Sequence, residues 1–201
     1  THEVVKSDLD WRTSGGPLVF NSIYTSEHYD ARLEQPGWSA PGFDDSAWGG
    51  VMYRGAPSQR VTAQQTVPIR NVTEYRPRSV RKLDERSYLY DFGQNMAGVT
   101  KLRLRGEAGT QLRLIHAERL REDGHADLSN IDVYFRPTDK DDLFQTDVVT
   151  LSGRDDEFMP RFNYKGFRYV EVVADRPVEL SAENLTAYAM HSDVTPVGHI
   201  E

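Results

Sequence analysis

Lys101-Leu102-Arg103-Leu104-Arg105, then Gly106-Glu107-Ala108-Gly109, then Gln111-Leu112-Arg113-Leu114, is the stretch that decides the fold. In both runs leucine alternates with a charged or amide residue, and a period of two marks a strand with one face in a core and the other in water. A Gly-bearing turn separates the runs, so the sequence predicts a β-hairpin over 101–114. It is expected to be a central or near-central pair, with Leu102, Leu104, Leu112 and Leu114 on one face. Outward from it, further strands are predicted at Ser87 to Phe92, Asp147 to Leu151, Phe167 to Val173 and Leu185 to His191. Turn-forming clusters such as Arg121-Glu122-Asp123-Gly124 and Ser152-Gly153-Arg154-Asp155-Asp156 separate them. No long stretch has helical periodicity, so the predicted class is all-β, a β-sandwich or jelly roll with little helix.

The N-terminal part differs in character. Gly, Pro and Trp are dense over 1–60, and Pro36-Gly37-Trp38-Ser39-Ala40-Pro41-Gly42 cannot be a central strand. Strand remnants, a wrapped loop and one short helical turn at Asp44-Asp45-Ser46-Ala47-Trp48, capped by Asp44, are expected there. A polar, β-branched connector over 61–86 then leads into the sandwich.

Composition removes several function classes. The 201 residues carry 24 Lys and Arg against 31 Asp and Glu, a net charge of −7. That sign argues against a nucleic acid or an anionic membrane surface as partner, since both need a basic face. Cysteine is absent, which leaves no thiolate nucleophile and no disulfide framework. No apolar run reaches the roughly 20 residues of a membrane helix, and the first residues lack the pattern of a signal peptide. The chain opens without Met and stops without a terminating element, so both ends are expected to be cuts in a longer polypeptide.

The chemistry-bearing motifs are sparse. Acidic pairs occur at Asp44-Asp45, Asp141-Asp142 and Asp155-Asp156-Glu157, and glycoside hydrolysis needs two carboxylates across a cleft, but these lie in hydrophilic turns. Asp139-Lys140-Asp141-Asp142 has the oxygens of a calcium loop with a cation among them, and the six His residues show no zinc spacing, so no metal is expected. A nucleophile elbow, a phosphate loop and a dinucleotide fingerprint are all missing, and no cofactor is implied. Sugar sites combine an aromatic face with planar amides, carboxylates or Arg, and three segments supply that mixture: Tyr29 to Trp38, Asp91 to Asn95, and Tyr164 to Tyr169. In Phe167-Arg168-Tyr169-Val170, period two puts Arg168 on the face of Val170, where a structural role beside an acidic partner is expected.

These segments also carry a resemblance. Tyr29-Asp30-Ala31-Arg32-Leu33-Glu34-Gln35-Pro36-Gly37-Trp38, followed by Phe43 to Trp48, resembles the end of the N-terminal region of bacterial α-L-rhamnosidases of glycoside hydrolase family 78. Asp91-Phe92-Gly93-Gln94-Asn95-Met96-Ala97-Gly98 is similar to the signature of the family's next β-domain, and Arg161 to Val172 to a later one. His116-Ala117-Glu118, Thr146-Asp147 and His191-Ser192-Asp193 fall in family order as well. Lys165 departs from the pattern, standing where the family's Tyr-His-Gly-Phe-Arg-Tyr form has His, and Val99 stands where an aromatic is common.

The resemblance implies a division into a tail of the N-terminal β-domain with its loop (1–60), the connector (61–86), an accessory β-sandwich (87–192) and the start of a linker to a catalytic barrel (193–201). It also implies that the acid and base lie in that helical (α/α)₆ barrel, and that the front of the N-terminal domain, where some relatives hold a calcium-dependent rhamnose site, is expected to be missing here. The expected role is therefore a non-catalytic accessory segment of an α-L-rhamnosidase, with the barrel of the same polypeptide as partner. The rival is a module that binds rhamnose-containing glycans, for which Asp91, Gln94 and Asn95 are the candidate contacts. Trp38, Trp48, Glu118, Tyr164 and Arg168 are expected to serve structure or an interface.

Overall fold

The computed structural model describes residues 3–132, 142–195 and 197–199. Its strands are β1 (Arg12–Thr13), β2 (Leu18–Asn21), β3 (Glu27–Asp30), β4 (Gly49–Gly50), β5 (Ile69–Tyr75), β6 (Ser79–Lys82) and β7 (Ser87–Arg105). They continue with β8 (Gln111–Ala117), β9 (Arg119–Leu120), β10 (Ala126–Asp127), β11 (Thr146–Thr150), β12 (Asp155–Phe158), β13 (Lys165–Ala174) and β14 (Leu185–Ser192). Among the described residues, 3₁₀ turns lie at Ala31–Leu33 and Ala182–Asn184, and Asp132 is also in 3₁₀ conformation. The chain is all-β, as its alternation predicts.

Two compact units are present: residues 1–16 with 33–66, and residues 17–32 with 67–201. In the first, β1 pairs with β4, and the Arg12 guanidinium donates to the carbonyls of Asp45 and Ser46 at 3.3 and 3.2 Å. The Trp48 indole donates to Gln35 Oε1 at 2.8 Å and its ring packs on Phe43, whereas Trp38 is exposed. The expected helical turn at Asp44 to Trp48 is instead a non-helical turn. Asp44 does cap it, accepting the Ser46 N–H at 3.0 Å, but no helix propagates beyond one turn without a partner surface.

The second unit is built around β7. Along its nineteen residues the even positions Tyr88, Tyr90, Phe92, Met96, Leu102 and Leu104 all enter one core. Its first half has β13 on one side and β6 on the other. Its second half has β12 on the side of β13 and β14 on the side of β6. The strand therefore belongs to two layers of one curled sheet: β2-β3-β11-β8-β13-β7-β6, and β12-β7-β14-β5. The layers meet face to face in a shared core, for example where Tyr29 of β3 packs on Phe158 of β12 at 5.3 Å. Most pairings are antiparallel, but β3 runs parallel to β11, so residues 17–32 belong to the sandwich sheet. Two strands, β5 and β6, also occupy the stretch read from sequence as a connector over 61–86.

The hairpin expected over 101–114 is corrected. Strands β7 and β8 are joined by the Gly106 to Gly109 turn but do not pair, because β13 lies between them in the sheet. The connection is an arch from one layer to the other, held by Gly109 N–H to Leu151 O at 2.8 Å and Leu151 N–H to Thr110 O at 2.9 Å. Leu102, Leu104, Leu112 and Leu114 do share the core, across it rather than side by side. Alternation alone cannot separate these two arrangements, since both give every second residue to the core.

Gly98 sits where the two layers join, in register with Lys165 of β13 and Ala189 of β14. A Cβ there would lie 2.0 Å from the Tyr188 carbonyl oxygen. Gly98→Ala should therefore push β14 off the ladder and destabilise the chain by about 1–3 kcal/mol, measured by urea denaturation.

Candidate functional site

The structure brings Asp91, Gln94, Asn95, Glu118 and Arg168 to one end of β7. Between Met96, paired with Phe167, and Asp91, paired with Tyr169, residues 92–95 bulge out of the ladder opposite the single residue Arg168. Gly93 takes φ +77°, which suits glycine, and its N–H is accepted by Asp91 Oδ1 at 2.6 Å. Arg168 grips the same carboxylate with two parallel bonds, Nε to Oδ1 and Nη2 to Oδ2, both 2.9 Å. Its guanidinium also stacks on Tyr169 at 4.8 Å. Arg168 holds the Asp91 carboxyl below the usual carboxylate range, against a smaller opposing effect of burial.

The bulge corrects the expected facing of Arg168. Phe167 and Val170 both point into the core, because the register shift between 167 and 169 changes the parity of the strand. Arg168 turns outward instead, to Asp91. Beside it Asn95 donates to Glu118 Oε1 at 3.1 Å and Asn130 to Glu118 Oε2 at 3.4 Å, while Gln94 stands exposed at the tip of the bulge. The Asp91 and Glu118 carboxylates are thus both engaged by neighbours. Tyr164 lies exposed on the loop before β13, and Trp38 and Trp48 belong to the other unit.

A second cluster, which the sequence reading missed, lies inside the sheet. Lys165 Nζ donates to Asp147 Oδ1 at 2.7 Å and to Asn163 Oδ1 at 2.6 Å, with the ion pair almost wholly buried. The same Asp147 oxygen accepts the Glu27 N–H at 2.9 Å, and Asp147 Oδ2 has no hydrogen-bond partner among the described residues. Glu27 Oε1 in turn accepts the N–H groups of Arg161 and Phe162 at 2.9 and 2.6 Å. Burial pushes the Glu27 carboxyl above the ordinary carboxylate range, and the Asp147 charge adds to this, while the two amides oppose it. Nearby, burial and the Lys165 charge push His116 down to about 4. Its neutral ring faces the carbonyls of Leu114 and Gln145 through Nδ1, which therefore donates, and accepts from the Thr100 hydroxyl at Nε2, 2.9 Å away.

One signal could have found this cluster. Lys165 has the parity of Phe167, so a lysine pointing inward was legible, and a buried lysine requires an acid. Which acid was not legible, since Asp147 lies on another strand.

The buried cluster offers no access to a glycoside. Glu27 and Asp147 are two carboxylates side by side, but at 2% and 0% exposure they are out of reach of any substrate. A shallow groove along β12 presents Asp155 and Glu157, yet Glu157 is clasped by Arg103 at 2.6 Å and Lys101 at 3.0 Å, which hold its carboxyl low. A general acid needs the opposite shift. No group of three or more possible metal ligands gathers among the described residues, and the Asp139 to Asp141 part of the calcium-like run lies outside them.

Comparison with known families decides what this arrangement belongs to. The model of the bacterial alpha-L-rhamnosidase concanavalin-like domain matches residues 81–191, and that of the alpha-L-rhamnosidase N-terminal domain matches residues 1–73. The chain belongs to the bacterial alpha-L-rhamnosidase concanavalin-like domain family. An alpha-L-rhamnosidase of Streptomyces avermitilis is 39% identical over 196 residues, covering 96% of this chain and 18% of its own length. The crystal structure of the Streptomyces avermitilis alpha-L-rhamnosidase complexed with L-rhamnose aligns at TM-score 0.81 and 38% identity, over 94% of this chain and 18% of that one. The alpha-L-rhamnosidase from Dictyoglumus thermophilum aligns at TM-score 0.80 and 35% identity, over 93% and 20%. The chain thus spans about a fifth of the length of the rhamnosidases it matches.

Two outcomes follow for the rhamnosidase domain. Arg168→Ala should lower the stability measurably at neutral pH, more than loss of a typical exposed ion pair, because the contact is bidentate. Because the Asp91 pKa is depressed in the fold, that stabilisation is complete above the unfolded value of about 4 and is lost as pH falls through the folded one. The stability gap between wild type and variant, followed by denaturation against pH, should therefore persist down to about pH 4 and close below it. Lys165→Ala, which strands Asp147 in the interior, should cost about 3–5 kcal/mol, while the double variant Lys165→Met, Asp147→Leu should recover most of that loss.

Proposed function

We propose that this chain is the accessory β-sandwich of a longer α-L-rhamnosidase, non-catalytic itself, and that it supports the catalytic (α/α)₆ barrel of the same polypeptide. On this reading the whole enzyme hydrolyses terminal α-L-rhamnosides, residues 87–192 form the accessory domain proper, and the segment from 193 leads toward the barrel. The observation that carries the reading is the state of the carboxylates. Of the carboxylates that the structure brings together, Asp147 is buried in an ion-paired cluster, and Asp91, Glu118 and Glu157 are clamped by Arg, Lys or amide groups. A glycosidase site needs one protonated acid and one free base across an open cleft.

A second reading, a module for rhamnose-containing glycans, is favoured by one feature. Gln94 and Asn95 stand exposed on a bulge beside the Arg168 guanidinium, and planar amides suit sugar hydroxyls. The fixed Asp91–Arg168 pair, with Asn95 spent on Glu118, supports the structural reading over this one. Purified chain 1–201 should release no product from an aryl α-L-rhamnoside and give a flat calorimetric titration with L-rhamnose. Saturable heat that vanishes in Gln94→Ala, Asn95→Ala would favour the glycan module, and turnover abolished by Glu118→Gln or Asp147→Asn would overturn both readings.

A further inference from the structure

We propose that the loops over residues 22–26 and 159–164 are the face by which this chain docks on the rest of its own polypeptide, an inference that rests on the accessory-domain reading above. The first loop is a tight turn: Thr25 N–H donates to Ser22 O at 3.3 Å and Ser22 N–H to Ser26 O at 3.0 Å. Its two corners are Ile23 and Tyr24, exposed to 65% and 80%. Turn corners favour Gly, Asn, Asp and Ser, and nothing in the fold gains from an exposed isoleucine and tyrosine there. The second loop exposes Phe162 to 58% and Tyr164 to 50%, with Asn163 turned inward between them.

The two loops are fastened to each other. Asn163 Nδ2 donates to Ser22 O at 3.5 Å, and its Oδ1 accepts from buried Lys165. Glu27, which directly follows the first loop, binds the backbone of Arg161 and Phe162 in the second. The buried Glu27, Asp147, Lys165 and Asn163 network therefore fixes the backbone beneath four large apolar side chains that remain in water. Single exposed apolar residues are ordinary, but four of them, three aromatic, on two tied loops have the composition of an interface core.

The chemistry selects the occupant. Residues 22–26 and 159–164 carry a single charge, Arg161, in a chain of net charge −7, so the face does not suit a polyion. The one amide that could grip a sugar, Asn163, is spent inward. What fits is an apolar protein surface, and the matched rhamnosidases have about four fifths of their length outside this segment.

Hydroxyl-radical footprinting tests this by comparing chain 1–201 with the full-length polypeptide. Tyr24 and Phe162 should label readily in chain 1–201 and several-fold less in the full-length protein. Tyr24→Ser with Phe162→Ser should leave the melting temperature of chain 1–201 unchanged and lower that of the full-length protein. Equal labelling in both proteins would overturn the proposal. So would protection in chain 1–201 that grows with its concentration, which marks a second copy, or that appears on adding L-rhamnose, which marks a sugar surface. Equal labelling in a full-length protein active on an aryl α-L-rhamnoside would sink the docking face alone, whereas a full-length protein without that activity would sink the accessory-domain reading.

Discussion

At Gly98 three backbones run side by side: β7 in the middle, β13 on one flank and β14 on the other, with no space for a side chain between Gly98 and the Tyr188 carbonyl. Much of the sandwich depends on this close approach. It lets one strand serve both layers, so that a single core forms from Tyr88 at one end of β7 to Leu104 at the other. It also sets the register of β13. With Lys165 fixed opposite Gly98, the ladder runs on to Phe167 opposite Met96, and the bulge over 92–95 resolves the mismatch before Asp91.

The polar groups follow from that register. Lys165 is carried into the interior, where an unpaired ammonium would be prohibitively costly, and Asp147 on β11 meets it. Asp147 also accepts from the Glu27 backbone, which ties β3 to β11 where the two run parallel. At the surface the bulge leaves Arg168 outside the core, and Asp91 takes it up. In both places an acid that looks available in the sequence is committed to holding strands in place, which suits a supporting domain.

How much of this was legible depended on range. Even spacing of Leu102, Leu104, Leu112 and Leu114 announced strands and a core, because alternation is a local property. The same spacing did not reveal that the turn after Arg105 crosses between layers, since that depends on β13 inserting from 60 residues later. Period two carried through Phe167 to Val170 misplaced Arg168, because a bulge resets parity and leaves no mark in composition. The Asp91 to Gly98 segment was recognisable as a family signature, and the structure shows its physical content: an acid that clamps Arg168, a left-handed glycine, and a glycine that admits β14. The Glu27 cluster was least visible, for Glu27, Asp147 and the Asn163 to Lys165 segment come from three separate stretches of chain, and its sequence traces, the inward parity of Lys165 and its departure from the family's His, both lie on one residue.

On the proposed reading this chain supports a rhamnosidase without taking part in its chemistry or in grasping its substrate. Kinetics and melting of the full-length polypeptide, with and without residues 1–201, address that most directly. A supporting domain predicts that the shortened protein melts at a lower temperature while the KM for a small aryl α-L-rhamnoside stays close to that of the intact protein. An unchanged melting temperature with a raised KM would contradict it, and would place substrate recognition in the segment itself.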